Sequence, residues 1–158
     1  MYNYCTRSAQ TTTYGYRDTL NQGKTGANLV GGELYEKLKK YYQQHLGQLL
    51  AGCAELNEDA LLQYYSEQWE KFILGGTLVH HIFRYLNRHW IKREMDEGHR
   101  QIYDVYTLSL VVWKETFFTN VESKAVCAAF KLIEMHRNGL TIQGSLIKSL
   151  TDSFGMFF

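Results

Sequence analysis

Apolar residues recur in successive segments of the chain with the three- and four-residue spacing of amphipathic α-helices. Gly52 follows the first segment as a natural C-terminal stop, and Asn57 is placed to cap the second. The pair Gly75-Gly76 is predicted to end the second helix, and Asp96 is predicted to cap the fourth. The pattern predicts an all-α fold with helices over residues 33–51, 58–74, 78–93, 97–117 and 123–137, and a shorter helix over residues 144–150.

Residues 78–93 separate into two faces when they are placed on a helix. One broad arc is apolar and is expected to pack against the core: Leu78, Val79, Ile82, Phe83, Tyr85, Leu86 and Trp90. The other side is basic and is expected to face solvent: His81, Arg84, Arg88 and Lys92. In the later segment 123–137, Val126, Phe130 and Ile133 form the predicted core stripe, and Asn138-Gly139 is predicted to end the helix.

The composition supports a helical protein. The 158 residues include no proline, although average usage would give roughly eight, and proline is excluded from helix interiors. The hydrophobic fraction of 45% is enough for one substantial core, while a net charge of +1 gives no global attraction to nucleic acid or membranes. No apolar run approaches the roughly 20 residues of a membrane span, and three widely spaced cysteines fit reduced thiols. We therefore expect a soluble, intracellular protein.

The segment before the first helix differs from the rest of the chain. Residues 7–28 are rich in Thr, Gln, Gly and Ser and lack apolar periodicity. Such a segment buries too little apolar surface to offset the entropy of ordering it. We predict a flexible loop that extends to the first helix, over residues 7–32.

No group of polar residues has the spacing of a catalytic or metal site. The adjacent His80 and His81 would point about 100 degrees apart on a helix, and no Cys-x-x-Cys or His-Glu-x-x-His pattern supplies further ligands. Helix capping and dipole compensation explain the carboxylates Glu94, Asp96 and Glu97. We predict no catalytic residue, no metal and no cofactor; an enzyme built on the histidines is the weakest interpretation.

Four cations form a basic face that supports a different interpretation, a helical nucleic-acid-binding module. They are Arg84, Arg88, Lys92 and Arg93. The acidic residues that follow dilute the field of this face, so a surface for a protein partner is the favoured interpretation. Nucleic-acid binding would weaken steeply with salt.

Several short runs carry a family resemblance. They are Glu33-Leu-Tyr-Glu-Lys-Leu-Lys39, Tyr65-Ser-Glu-Gln-Trp69, Tyr85-Leu-Asn-Arg-His-Trp-Ile-Lys-Arg-Glu94, Asp96-Glu-Gly98, Ile102-Tyr-Asp-Val-Tyr106, Lys131-Leu-Ile-Glu134 and Arg137-Asn-Gly139. On these residues the chain resembles the N-terminal region of the cullin family, most closely its cullin-1 branch. The resemblance runs in order over nearly the whole chain, and the Tyr-Leu-Asn-Arg-His-Trp run with its acidic sequel is its most specific part.

The resemblance implies a scaffold rather than an enzyme. Cullins are elongated backbones of ubiquitin ligases, whose N-terminal helical repeats hold a substrate-receptor module and whose C-terminal region holds a RING protein. In the cullin-1 branch, which forms SCF-type ligases, the adaptor Skp1 carries F-box proteins and docks on the second and fifth helices of the first repeat. Residues 78–93 match the fifth helix, which implies adaptor contacts by Arg84, Tyr85, Asn87 and Arg88, with Leu86 and Trp90 facing the core.

The resemblance also implies a division of the chain. Residues 1–6 resemble the end of the second helix, residues 7–32 the loop, residues 33–95 the remainder of the first cullin repeat, and residues 96–158 the start of the second. On this basis the chain is expected to be a truncated cullin that binds Skp1 weakly or not at all and recruits no RING partner. Its expected location is the cytoplasm and nucleus, without membrane or nucleic-acid partners.

Overall fold

The computed structural model describes residues 26–157, and every regular element in that range is helical. In chain order these elements are α1 (Gly26–Cys53), α2 (Glu58–Ile82), the π-helix π1 (Leu86–Ile91), α3 (Lys92–Asp96), α4 (Val105–Trp113), the π-helix π2 (Lys114–Phe118), α5 (Thr119–Arg137) and α6 (Gly144–Phe157). The all-α prediction is confirmed. Within this range, no helix has the length and apolar character needed to cross a membrane.

The first helix starts earlier than its apolar pattern suggests. α1 begins at Gly26, so residues 26–32 are helical and the predicted loop over residues 7–32 is wrong for that part. The rest of the predicted loop, and the predicted helix remnant over residues 1–6, lie outside the described residues. At its other end α1 finishes at Cys53, one residue beyond the stop predicted at Gly52.

Two glycines lie inside helices because the helices approach one another closely there. α2 continues through Gly75-Gly76 to Ile82, so the predicted break is wrong. A Cβ atom on Gly76 would lie 2.9 Å from Oγ of Ser109, and one on Gly31 would lie 2.4 Å from Cδ1 of Trp90. Glycine costs a helix about 1 kcal/mol relative to alanine, and these close contacts offset that cost.

The helix caps were predicted correctly in part. Asn57 Oδ1 accepts a hydrogen bond of 2.9 Å from the backbone N–H three residues later, which confirms it as the N-cap of α2. Asp96 does not cap the fourth helix, because the chain leaves α3 through Gly98, whose φ is +87°. Asp104 caps α4 instead, and its Oδ1 accepts a hydrogen bond of 3.0 Å from the backbone N–H of Tyr106.

Residues 105–137 form one uninterrupted helical run, although the sequence predicts two helices there. The residues between the predicted helices contain neither glycine nor proline, and π2 carries the helix across. The predicted end at Asn138-Gly139 is confirmed, because Gly139 has a φ of +85°. The predicted core stripe is wrong, since Phe130 is 66% exposed and Ile133 is 40% exposed. Small side chains are buried in α5 in their place: Val121, Ala125, Ala128 and Ala129.

An aromatic cluster occupies the centre of the core. Trp113 is fully buried, and its ring centroid lies 4.7 Å from those of both Phe72 and Phe117. Trp69 lies 5.3 Å from it and Tyr65 5.9 Å. These rings join the N-terminal half of α2 to α4 and π2, so this part of the molecule is held by packing.

The last helix is attached to α2 by buried hydroxyl groups as well as by apolar contacts. α6 extends to Phe157, beyond the predicted end at residue 150. Tyr65 Oη donates a 2.8 Å hydrogen bond to Ser153 Oγ, and Ser66 Oγ donates one of 2.8 Å to Ser149 Oγ. Each of these four hydroxyls thus has a partner, as a stable helix interface requires.

Candidate functional site

The segment that follows α2 keeps a helical path while changing its pitch. α2 ends at Ile82, but the backbone N–H of Phe83 still donates to the carbonyl of Val79 at 2.9 Å. The N–H of Asn87 then donates to the carbonyl of Phe83 at 3.1 Å, and π1 begins at Leu86. The hydrogen-bonded path is therefore continuous from α2 into π1.

The inner side of π1 is anchored in the core. Leu86 is completely buried, Ile91 is 1% exposed, and Trp90 is 7% exposed, with its ring centroid 5.3 Å from that of Tyr35. The prediction that Leu86 and Trp90 face the core is confirmed. The sequence did not indicate that Ile91 would join them, because the wider π-helical turn brings two consecutive side chains inward.

Asn87 has a structural role that the sequence did not reveal. Its Oδ1 accepts a 3.0 Å hydrogen bond from the backbone N–H of Val105, the first residue of α4. Its Nδ2 lies 3.2 Å from Nδ1 of His80, and that nitrogen lies 3.4 Å from Oδ1 of Asp104. Both ends of the amide are therefore engaged within the molecule, and Asn87 ties π1 to the start of α4.

The other three predicted adaptor contacts share an accessible surface. Arg84 and Arg88 are exposed, and Tyr85 is half-buried. The Arg84 Cζ atom lies 5.4 Å from the centroid of the Tyr85 ring, which in turn stacks on His89 at 6.1 Å with an interplanar angle of 6°. A cation over an exposed aromatic ring contributes about 0.5–1 kcal/mol, so this arrangement orders the surface locally.

Three exposed apolar side chains lead up to this surface along α2. Leu74 is 64% exposed, Leu78 56% and Ile82 60%, and we call these three residues the apolar stripe. The sequence placed Leu78 and Ile82 in the core, which is wrong. The spacing in the sequence explains why the stripe points away from the core. Leu74 follows the buried Phe72 by two residues, so its side chain points about 200 degrees away from that of Phe72.

The predicted basic face is smaller than the sequence suggests. Arg84, Arg88 and Lys92 are exposed, but Arg93 is half-buried and its Nε atom is enclosed. Arg93 therefore contributes less to the exposed face than the other three cations. The remaining cations extend the surface that contains Arg84 and Tyr85.

One group of side chains in the described part of the chain has the spacing of metal ligands. The ligand atoms of Glu94, Glu97 and His99 all lie within 4.8 Å of one another. Glu94 is buried, and its Oε2 lies 2.9 Å from Nδ1 of His99. The backbone N–H of His99 also donates to the carbonyl of Glu94 at 3.1 Å, so the turn that ends α3 accounts for this proximity.

The described residues thus define an all-helical domain with a buried aromatic core and an apolar and basic outer surface. The family model for the cullin alpha solenoid domain matches residues 1–157. The chain belongs to the cullin family.

Relatives in several organisms are similar over nearly the whole chain. Cullin-1 of Caenorhabditis elegans is 37% identical over 158 residues, which cover 96% of this chain and 20% of the relative. Cullin-1 of Dictyostelium discoideum is 34% identical, covering 98% and 20%, and cell division control protein 53 of Saccharomyces cerevisiae is 32% identical, covering 97% and 18%. The chain spans about a fifth of the length of these relatives.

Proposed function

We propose that this chain is a non-catalytic scaffold segment of a cullin-RING ubiquitin ligase of the SCF type. In this role it docks a Skp1-type adaptor with its F-box protein, inside the cell, in the cytoplasm and nucleus. The docking surface consists of Arg84, Tyr85 and Arg88 together with Leu78 and Ile82 of the apolar stripe. Membership of the cullin family supports the scaffold role.

One observation carries the choice of surface: residues 78–92 are anchored on one side and exposed on the other. Leu86 and Trp90 are buried, and Asn87 is hydrogen-bonded to the start of α4. Leu78 and Ile82 are more than half exposed on the outer side. A surface whose backbone is already ordered loses less conformational entropy on binding, which favours affinity.

The composition of this surface also suits a protein partner. Arginine and tyrosine are enriched at the centre of protein interfaces, where the surrounding contacts exclude water from them. Arg84 and Arg88 lie beside the half-buried Tyr85, and Leu78 and Ile82 supply the apolar area. We expect Asn87 to act indirectly, by holding π1 in place.

Calorimetric titration of the chain with a purified Skp1–F-box complex tests the proposal. We expect weak but saturable binding, and we expect Arg88→Glu and Leu78→Asp each to weaken it further by about tenfold or more, or 1.4 kcal/mol. Arg137→Glu is the matched control, since Arg137 is exposed at the far end of α5 and should bind as the unaltered chain does.

Two outcomes would contradict the proposal. If the chain keeps its helical circular dichroism but does not bind the Skp1–F-box complex, the proposed adaptor docking is rejected. If Arg137→Glu loses binding and Arg88→Glu does not, the interface lies on another surface of the chain. The alternative, nucleic-acid binding by Arg84, Arg88 and Lys92, requires affinity for an oligonucleotide that falls steeply as salt is raised.

A further inference from the structure

Among the residues that the structure describes, the apolar stripe is the centre of a larger exposed patch. Tyr41 of α1 is 60% exposed on one flank and Met156 of α6 is 46% exposed on the other. Grooves of 220 Å³ and 550 Å³ run along the two sides of α2, with Tyr41 lining the first and both Leu74 and Met156 lining the second. Exposed apolar patches of this kind mark interaction surfaces in soluble proteins.

We propose that a second copy of this chain covers the patch, by antiparallel pairing of α2 about a two-fold axis that passes beside Leu78. Leu74, Leu78 and Ile82 are spaced four residues apart, so the stripe is symmetric about its middle residue. The pairing places Leu78 against its own equivalent and Leu74 against Ile82 of the second copy. A two-fold interface requires such a self-complementary surface.

The charges on either side of the stripe specify the antiparallel direction. The exposed Glu67, Glu70 and Lys71 precede the stripe and together carry one net negative charge, and the exposed Arg84 and Arg88 follow it with two positive charges. At 1.5 Å per helical residue, Glu67 lies about 16 Å before Leu78 and Arg88 about 15 Å after it; the change of pitch in π1 alters the second value slightly. An antiparallel partner therefore brings the net negative flank of one copy against the positive flank of the other at both ends, whereas a parallel partner brings the two positive flanks together.

The backbone of α2 is also accessible beside the stripe. A Cβ atom on Gly75 would meet no other atom within 4 Å, so this position leaves space for a neighbouring helix. Stable interfaces bury at least about 1,000 Å² in total, and a single helix pair supplies less apolar area than an obligate dimer. We therefore expect reversible association, with a dissociation constant on the order of tens of micromolar.

The pairing has a consequence for adaptor binding, and this step alone rests on the proposed function. Arg84 and Arg88 belong to both surfaces, so a paired chain cannot present them to an adaptor. Self-association would then lower the fraction of chain that is competent to bind. The adaptor would in turn drive the chain towards the monomer.

Sedimentation equilibrium over a concentration series, with charge-reversal variants, tests the pairing. The unaltered chain is expected to shift from monomer towards dimer as its concentration rises. Glu70→Arg and Arg84→Glu are each expected to weaken dimerisation by about tenfold, because each places like charges together. An equimolar mixture of the two variants should regain dimerisation, since the introduced charge of one then faces the introduced charge of the other.

Two control variants distinguish pairing through this surface from nonspecific association. Leu78→Asp should abolish the dimer, while Phe130→Asp should leave it intact, because Phe130 is 66% exposed but lies on α5. Circular dichroism checks that each variant is folded. A chain that stays monomeric at every concentration, or a mixture that fails to regain dimerisation, would overturn the pairing. Adaptor binding by such a monomer would leave the proposed function standing.

Discussion

The two halves of α2 are both rich in apolar side chains, yet most of those in the first half are buried while three in the second half are exposed. In the N-terminal half, Leu62 and Tyr65 are completely buried and Trp69 is 4% exposed. In the C-terminal half, Leu78 and Ile82 are more than half exposed. The difference lies in the neighbours: α4, α5 and α6 pack against α2, whereas Leu74, Leu78 and Ile82 lie on a side of it that no described element covers.

Under the proposed function, this contrast lets one helix serve two purposes. The buried half fixes the position of the helix through a cluster of aromatic rings around Trp113. The exposed half then presents its side chains on a rigid support, which is what a docking surface requires.

The largest difference is expected between two leucines of α2. Leu62→Ala should lower the free energy of unfolding by about 2–5 kcal/mol, because it creates a cavity in a fully buried site. Leu78→Ala should change it by no more than about 0.5 kcal/mol, because the side chain is 56% exposed. Urea unfolding at low protein concentration measures both; equal losses would mean that the stripe is buried in solution.

A smaller difference is expected between two glycines of α1. Gly31→Ala should destabilise the fold by about 1–3 kcal/mol, because its Cβ would lie 2.4 Å from Cδ1 of Trp90. Gly47→Ala should stabilise it by about 0.4–1 kcal/mol, because its Cβ would meet nothing within 4 Å and alanine favours a helix. Thermal unfolding compares the two variants, and stabilisation by Gly31→Ala would contradict the close contact with Trp90.

Neighbouring residues of π1 should separate support from recognition. Asn87→Ala should cost about 1–3 kcal/mol of stability, since it leaves the backbone N–H of Val105 without its 3.0 Å acceptor. Arg88→Ala should change stability by less than about 0.5 kcal/mol, because Arg88 is exposed. Chemical denaturation gives both values, and an unchanged stability in Asn87→Ala would show that its hydrogen bond has little structural effect.

Two tyrosines of α1 should respond in opposite directions to loss of the hydroxyl. Tyr42 Oη is enclosed and has no hydrogen-bond partner among the described residues, so Tyr42→Phe should stabilise the fold by about 1 kcal/mol. Tyr35 Oη accepts a 3.1 Å hydrogen bond from the backbone N–H of Tyr103, so Tyr35→Phe should destabilise it by about 1 kcal/mol. Urea midpoints at neutral pH decide the sign of each effect.

The Tyr42 hydroxyl also gives a prediction for alkaline pH. Burial, with a contribution from Tyr41, raises the pKa of Tyr42 from 10.0 to about 12. The native state thus holds a proton that the unfolded state has released, so stability is full below pH 10 and falls as pH rises through about 12. Tyr42→Phe should make this fall shallower, and an identical pH profile for the variant would contradict the raised pKa.

Local signals in the sequence were enough to place several elements. The cap at Asn57, the end at Asn138-Gly139 and the inward side chains of Leu86 and Trp90 depend on residues close together in the chain, and all three were predicted correctly. The motif around Leu86 also indicated the cullin family correctly.

The remaining features depend on contacts between distant parts of the chain. Asn87 bonds to a residue 18 positions away, so nothing beside it in the sequence reveals its partner. The burial of Gly76 depends on Ser109, and the exposure of Phe130 depends on the small alanines that face the core in its place. The apolar period alone also cannot show π1 and π2, where the turn widens and the buried face shifts.

The central claim is that a cullin adaptor docks on the outer face of residues 78–92. Hydrogen–deuterium exchange of the chain with and without a Skp1–F-box complex tests it most directly. We expect slower exchange in peptides that cover residues 78–92, and no change in peptides that cover residues 123–137 of α5. Protection confined to α5, or the absence of any protection at saturating adaptor, would contradict the claim.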